Sequence, residues 1–362
     1  MKIVVDLTSL SYHLSGIERY ALCVTDKMID QDRKNKYVLV FRNEIHPVFK
    51  NRIDGNRVSA IILTGNNKLF FLQITLTNAL FKIKADKYIF FAFPSPILFR
   101  KKGIINTIHD MGAWDSSDEM TLLSKIYFRI SYRNVAKVSE KIVTVSRFSK
   151  RRIIDILHVK PGKVFVVYSG VYEKILADQN EDFDTVKSKY CLPDKYIMSL
   201  STLEPRKNIP MLIKAFERIA EKVDYDLVLV GRKGWKVDEL LKNNYSKKRI
   251  HFTGFVDDED LPSIYRHAMC FVFPSLYEGF GLPPVEALAL GTPVISSDAA
   301  SLPEVLMGQA KYFHYDSIDE LVKILDNLNE TVINMPHSLN DYQKKRYGFN
   351  YAAKKIIMNT ND

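Results

Sequence analysis

Short, nearly continuous apolar runs alternate with segments whose hydrophobic positions recur every three to four residues, along almost the whole chain. In the first half the runs predict strands near 2–7, 36–41, 57–63, 87–91, 104–109, 141–145 and 163–167. Between the first two, Ile17, Tyr20, Ala21, Val24 and Met28 fall on one face of a helix. The second half repeats the plan, with strands predicted at 196–200, 226–230, 249–253, 269–274 and 293–297. A helix beginning near Asn208 turns Leu212, Ile213, Phe216, Ile219 and Ala220 towards a core, with Asn208 suited to its N-cap and Pro210 to its first turn. Strands alternating with helices make parallel sheets covered on both faces, so the pattern predicts two doubly wound α/β domains.

The chain has 362 residues, enough for two domains that each bury a core. The expected division is 1–170, 171–340 and a final helix over 341–362 that returns to the first domain. The join falls near 168–195, where Ser169-Gly170 leads into the polar stretch from Asp178 to Asp184. Charge supports the division: residues 1–170 carry 28 Lys and Arg against 14 Asp and Glu, a balance of +14, leaving −4 for residues 171–362 of the overall +10. A basic half suits an anionic membrane face or a polyanion, and a solvated surface is the plain alternative. Cys23, Cys191 and Cys270 are far apart and form no CxxC pair, which argues against a disulfide framework or a zinc site and reads them as small buried hydrophobes in a reducing compartment. The apolar run from Tyr88 to Phe99 is broken by Pro94 and Pro96 and is too short to span a bilayer. Met1 leads straight into a strand, without the marks of a signal peptide, so a cytoplasmic protein is expected.

In open parallel sheets ligands bind beyond the carboxyl ends of the strands. One such end is followed by PSLYEGFGLPPVEALALGTPV over 274–294, in which Gly279 and Gly281 precede a helix opened by Pro283-Pro284 and closed by Gly291. Glycines there let a backbone approach a ligand, and a helix N-terminus favours an anion. Glu278 and Glu286 bracket the loop, and each carboxylate can accept hydrogen bonds from a vicinal pair of hydroxyls. Arg206 and Lys207 follow another strand and suit a diphosphate. Taken singly these residues have plainer readings: Glu286 as a first-turn acid, Glu278 as a solvated loop residue, the Arg-Lys pair as surface, Phe255 as core and His109 as structural. Asp258-Glu259-Asp260 contains a D-x-D pattern but reads better as the acidic first turn of a helix.

The run SLYEGFGLPPVEALALGTPVISSDAASLPEV resembles the signature of the family-4 retaining glycosyltransferases, which share the GT-B fold. The likeness extends, in order, to SGIERY at 15–20, IHD at 108–110, TVSRFSKRRI at 144–153, STLEPRKNI at 201–209 and GFVDDEDLPSIYRHA at 254–268. It implies two Rossmann-like domains facing across a cleft, the first binding acceptor and the second nucleotide-sugar. By the same resemblance Arg206 and Lys207 clamp the leaving diphosphate, Glu278 contacts the donor sugar and Glu286 the ribose. Backbone N–H groups of Gly279, Phe280, Gly281 and Leu282 hold hydroxyls or phosphate, and Phe255 and Val256 seat the base. Gly16 faces the diphosphate from the other domain, His109 lies near the reacting sugar, and Asp110 orients it or meets the acceptor. Ser201 stands where some members carry a further basic residue.

The resemblance further implies a retaining, metal-independent hexosyltransferase with a nucleotide-sugar co-substrate and no other cofactor. The pattern looks most like bacterial mannosyl- and rhamnosyltransferases of polysaccharide assembly, such as O-antigen or lipopolysaccharide. That makes GDP-mannose the leading donor, ahead of UDP- and dTDP-sugars, with a glycan or lipid-linked glycan as acceptor. An epimerase or soluble sugar synthase on the same fold is the nearest alternative. Nucleic-acid binding lacks any recognisable module. A peripheral place on the inner membrane face would use the basic half, with Lys82, Lys84, Arg100, Lys101 and Lys102 beside Phe81, Phe90, Phe91, Phe93 and Phe99 as its contacts.

Overall fold

The computed structural model describes residues 1–12, 14–67, 70–116, 120–176, 182–201, 204–231 and 249–361. Part of the polar stretch from Asp178 to Asp184, and Thr202 and Leu203 of the segment before Arg206, lie outside them. Contacts divide the chain into one unit of Met1–Gly170 with Lys345–Asp362 and another of Val171–Lys344.

In the first unit β1 (Lys2–Asp6), β2 (Lys36–Arg42), β3 (Val58–Leu63), β4 (Lys87–Phe90), β5 (Ile104–Thr107), β6 (Lys141–Thr144) and β7 (Val164–Val166) form a parallel sheet in the order β3-β2-β1-β4-β5-β6-β7. The order reverses between β1 and β4, where loops from neighbouring strands diverge and leave room for a ligand. Helix α1 (Gly16–Gln31) begins with a capping box, Ser15 N–H donating to Glu18 Oε2 at 2.8 Å and Glu18 N–H to Ser15 Oγ at 3.4 Å. It buries Tyr20, Ala21, Val24 and Met28, while Ile17 at its start stays exposed. Helices α2 (Leu122–Val138) and α3 (Arg147–Leu157) follow, the latter capped by Ser146 Oγ accepting from Ser149 N–H at 3.0 Å.

The second unit repeats this with β8 (Tyr196–Leu200), β9 (Asp226–Val230), β10 (Ile250–Gly254), β11 (Phe271–Phe273), β12 (Val294–Ser297) and β13 (Ala310–Phe313), in the order β10-β9-β8-β11-β12-β13. Its reversal lies between β8 and β11. Helices α4 (Ile209–Glu217), α5 (Leu261–His267), α6 (Leu282–Ala289) and α7 (Ile318–Asp326) accompany it, and Leu212, Ile213, Phe216 and Ile219 join Leu227, Leu229 and Leu325 in one apolar cluster. The last helix, α8 (Phe349–Asn361), belongs to the first unit and packs on α1, with the Phe349 and Tyr20 rings edge to face at 6.4 Å and Gln31 Nε2 donating to the Asn350 carbonyl at 3.0 Å.

Several expectations are corrected. Asn208 precedes α4 but has φ 53° and accepts no capping hydrogen bond. Asp258 and Glu259 stand before α5 rather than in its first turn, and the Asp260 carboxylate is held by Lys189 Nζ and Tyr190 Oη, each at 2.6 Å. Cys191 is exposed, in a left-handed conformation after a short helix, whereas Cys23 and Cys270 are buried. The aromatic-basic cluster is divided: Phe90, Phe91 and Phe99 are buried, while Phe81, Lys82, Lys84, Arg100 and Lys102 are exposed. Lys101 Nζ donates to the carbonyls of Leu80, Phe81 and Ile83, so its charge closes a helix end rather than facing outwards. Among the described residues no helix is long and apolar enough to cross a membrane.

Candidate functional site

The two strands that flank the reversal of the second sheet deliver the predicted charged residues. After β8 the chain reaches a 3-10 turn, Pro205–Lys207, and after β11 it enters the loop that carries Glu278. The two loops are laced together: Leu276 N–H and Ser275 Oγ both donate to the Arg206 carbonyl, at 2.8 and 3.1 Å. Ser297 Oγ at the end of β12 donates to the Ser275 carbonyl at 2.5 Å, which ties a third strand end to the same place.

Lys207 and Glu278 are 9% and 7% exposed. Lys207 Nζ lies 2.5 Å from Glu278 Oε1, which also accepts from Ser275 Oγ at 2.8 Å. Arg206 is more open, with Nη1 3.7 Å from Glu278 Oε2 and Nε 3.0 Å from Glu204 Oε2. Burial pulls Lys207 below its ordinary value, although Glu278 opposes that. Burial also works against the Glu278 carboxylate, yet Lys207 and Arg206 outweigh it and the group titrates below its usual range. The ammonium also stands 5.4 Å from the centre of the Phe273 ring. Two cations and one carboxylate therefore meet in a nearly dry corner, where charge acts more strongly than in water.

The following loop is fixed by backbone geometry. Gly281 has φ +83°, a conformation that favours glycine, and a Cβ there would press on Leu302 Cδ2 at 2.6 Å. It takes the N-cap position of α6, but Pro283 and Pro284 in the first turn have no N–H, so the helix end is a weaker anion site than expected. Glu286 is 4% exposed and lies one residue beyond the first turn. Gly279 and Phe280 are buried and Leu282 is partly so. Beyond β10, Val256 is buried while Phe255 is 45% exposed, which rules out its reading as core.

In the first unit, Gly16 is the first residue of α1, and a Cβ there would meet nothing within 4 Å. His109 follows β5, and its Nε2 lies 2.8 Å from the Phe91 carbonyl. A carbonyl only accepts, so Nε2 carries the proton and Nδ1 is the acceptor in the neutral ring. Burial lowers the His109 value and favours that neutral form. Asp110 accepts from Gly112 N–H at 2.8 Å and shapes the turn after the histidine.

Sequence reading missed Ser275, Ser297 and Gly231. Gly231, with φ +136°, ends β9 so close to β8 that a Cβ would fall 2.0 Å from the Ser201 carbonyl oxygen, and its N–H donates to the Gly254 carbonyl at 2.9 Å. A glycine directly after an apolar strand was the available signal; the two serines gave none.

Residues 181–346 match the family described as glycosyl transferases group 1. The O-antigen chain mannosyltransferase B of Escherichia coli is 28% identical over 323 residues, 84% of each chain. The serotype-specific mannosyltransferase WbdA of Escherichia coli is 32% identical over 211 residues, 55% of this chain and 26% of its own length, so the chain spans about a quarter of that relative. Among solved structures, HepE of Anabaena in complex with UDP and glucose has a TM-score of 0.74 at 16% identity, covering 100% of this chain and 99% of that one. WaaG, a glycosyltransferase involved in lipopolysaccharide biosynthesis, gives 0.65 at 13% identity, covering 98% and 94%. These two likenesses concern the fold, two doubly wound sheets of the GT-B type. Around the paired strand ends of its second sheet, over residues 181–346, the chain carries a glycosyl transferases group 1 domain.

Proposed function

We propose that the protein is a retaining glycosyltransferase that moves mannose from GDP-mannose to a hydroxyl of a glycan or lipid-linked glycan acceptor in polysaccharide assembly. The observation that carries this reading is the buried Lys207–Glu278 pair with Arg206 beside it, at the reversal point of a sheet in a glycosyl transferases group 1 domain. The mannosyltransferase names of the similar Escherichia coli proteins support mannose as the sugar.

In this reading Arg206 and Lys207 offset the negative charge that grows on the diphosphate as the glycosidic bond breaks. Glu278 accepts hydrogen bonds from hydroxyls of the departing sugar, and Glu286 from those of the ribose. The backbone of Gly279, Phe280, Gly281 and Leu282 holds phosphate or hydroxyl oxygens, and Phe255 and Val256 cover the base. As the family resemblance implies, the acceptor attacks from the face the diphosphate leaves and its proton passes to a phosphate oxygen. Catalysis then consists of charge stabilisation and positioning.

A thermal-shift panel of GDP, UDP, dTDP and ADP identifies the base, since a ligand at about 100 times its Kd stabilises by roughly 2.7 kcal/mol. GDP is expected to raise Tm most, and a larger shift with UDP or dTDP replaces the donor. Turnover of GDP-mannose in EDTA, with an α-configured product by NMR, is the expected reaction. A β-configured product or an altered nucleotide-sugar formed without acceptor overturns it.

A further inference from the structure

Phe255 and Val256 form a short turn after β10, and the chain is pinned on both sides of it. On the near side stands Gly254, the last residue of β10, with φ +72°. Its carbonyl accepts from Gly231 N–H at 2.9 Å, which fixes where the turn begins. On the far side stands Asp257, whose N–H donates to Tyr190 Oη at 3.2 Å. Phe255 is 45% exposed, so burial in a core does not set the direction of its ring and the backbone on either side must do so.

Tyr190 ends a helix over Phe183–Tyr190 and lies 67 positions before Asp257. A phenol can accept and donate at once. Here Oη accepts from Asp257 N–H and gives its own proton to Asp260 Oδ2 at 2.6 Å. Asp260 is 4% exposed, and its Oδ2 also accepts from Lys189 Nζ at 2.6 Å, so the group to which the phenol is tied is itself held. The same ammonium reaches Asp257 Oδ2 at 3.0 Å. Burial, with the Asp260 carboxylate beside it, pushes the Tyr190 phenol above its ordinary value, so it keeps the proton it donates. The helix closes without this hydroxyl, since Cys191 N–H donates to the Lys187 and Ser188 carbonyls. The phenol therefore serves the turn after β10 rather than its own helix.

Resting on the reading above in which Phe255 and Val256 cover the base, we infer that Tyr190 is a positioning residue for the donor. Its hydroxyl holds the turn after β10 in the shape that presents Phe255 and Val256 to the guanine ring. It acts through Asp257, and not by contact with the ligand.

The test is calorimetric titration of the full chain with GDP and, separately, with inorganic pyrophosphate, which has no base. Tyr190→Phe removes only the hydroxyl. It is expected to weaken GDP by about five- to tenfold, the scale of one lost hydrogen bond, and to leave pyrophosphate affinity within about twofold. Phe183→Leu removes a ring stacked on His267 at 3.6 Å, at the other end of the same helix. It is expected to lower Tm without moving GDP affinity. Unchanged GDP affinity in Tyr190→Phe, an equal loss of GDP and pyrophosphate, or the same GDP loss in Phe183→Leu overturns the positioning role. Phe255→Ala tells the two failures apart. If it weakens GDP while Tyr190→Phe does not, this inference alone falls; if neither variant weakens GDP, the base lies elsewhere and the inference falls with its seat.

Discussion

Lys207 Nζ and Glu278 Oε1 are 2.5 Å apart, although their residues come from loops 71 positions apart in the chain and neither is appreciably exposed. Removing one partner leaves the other charge buried, which typically costs about 3–5 kcal/mol. Lys207→Met is therefore expected to lower Tm, and Lys207→Met combined with Glu278→Gln to recover much of the loss. Turnover should fall by roughly 10²-fold or more in the single variant and stay down in the double one. Scanning calorimetry and initial rates on the same samples separate the two effects. Recovery of both together would mean that the pair is structural only.

Gly281→Ala meets two obstacles, a positive φ and the Leu302 side chain. The left-handed conformation alone disfavours alanine by about 1–2 kcal/mol. Leu302→Val in the same chain relieves the contact but not the backbone, so thermal unfolding should show partial rescue. Full rescue would mean that φ relaxes freely.

Because burial lowers the His109 value from 6.5, the unfolded chain takes up a proton that the folded chain resists. The contribution of His109 is fully present above about pH 6.5 and is lost as pH falls below that value towards the folded one. His109→Gln retains a donor for the Phe91 carbonyl and does not titrate. Its Tm should fall less than that of the wild type between pH 7.5 and 5.5, and a parallel fall would refute the burial effect.

Phe255 is exposed enough that truncation leaves the core intact. If it covers the base, Phe255→Ala weakens nucleoside diphosphate binding by about tenfold, the value of partly burying an aromatic ring, with little change in the Tm of the free protein. Calorimetric titration with GDP measures this. Unchanged affinity would move the base elsewhere.

The alternation of apolar runs and helical faces is enough to predict paired α/β sheets, because parallel strands covered on both sides must be apolar throughout. The strand that this pattern does not reveal, β13, lies at the edge of its sheet, where only Ala310 and Phe313 are buried and Lys311 is exposed, so the run is broken. Lys207 and Glu278 stand out through the motifs around them. Ser275 does not, because a serine that braces a carboxylate looks like any loop serine. The Phe90, Phe91 and Phe99 misreading arises because lysines near in sequence suggest surface while the aromatic rings turn inward.

Helix α8 gives the first unit a discontinuous sequence. The surface of α1 that receives Phe349 and Asn350 is synthesised more than 300 residues before its cover. On the ribosome, the unit begun first is thus the last to be completed, and α1 must wait for its partner until the whole second unit has emerged.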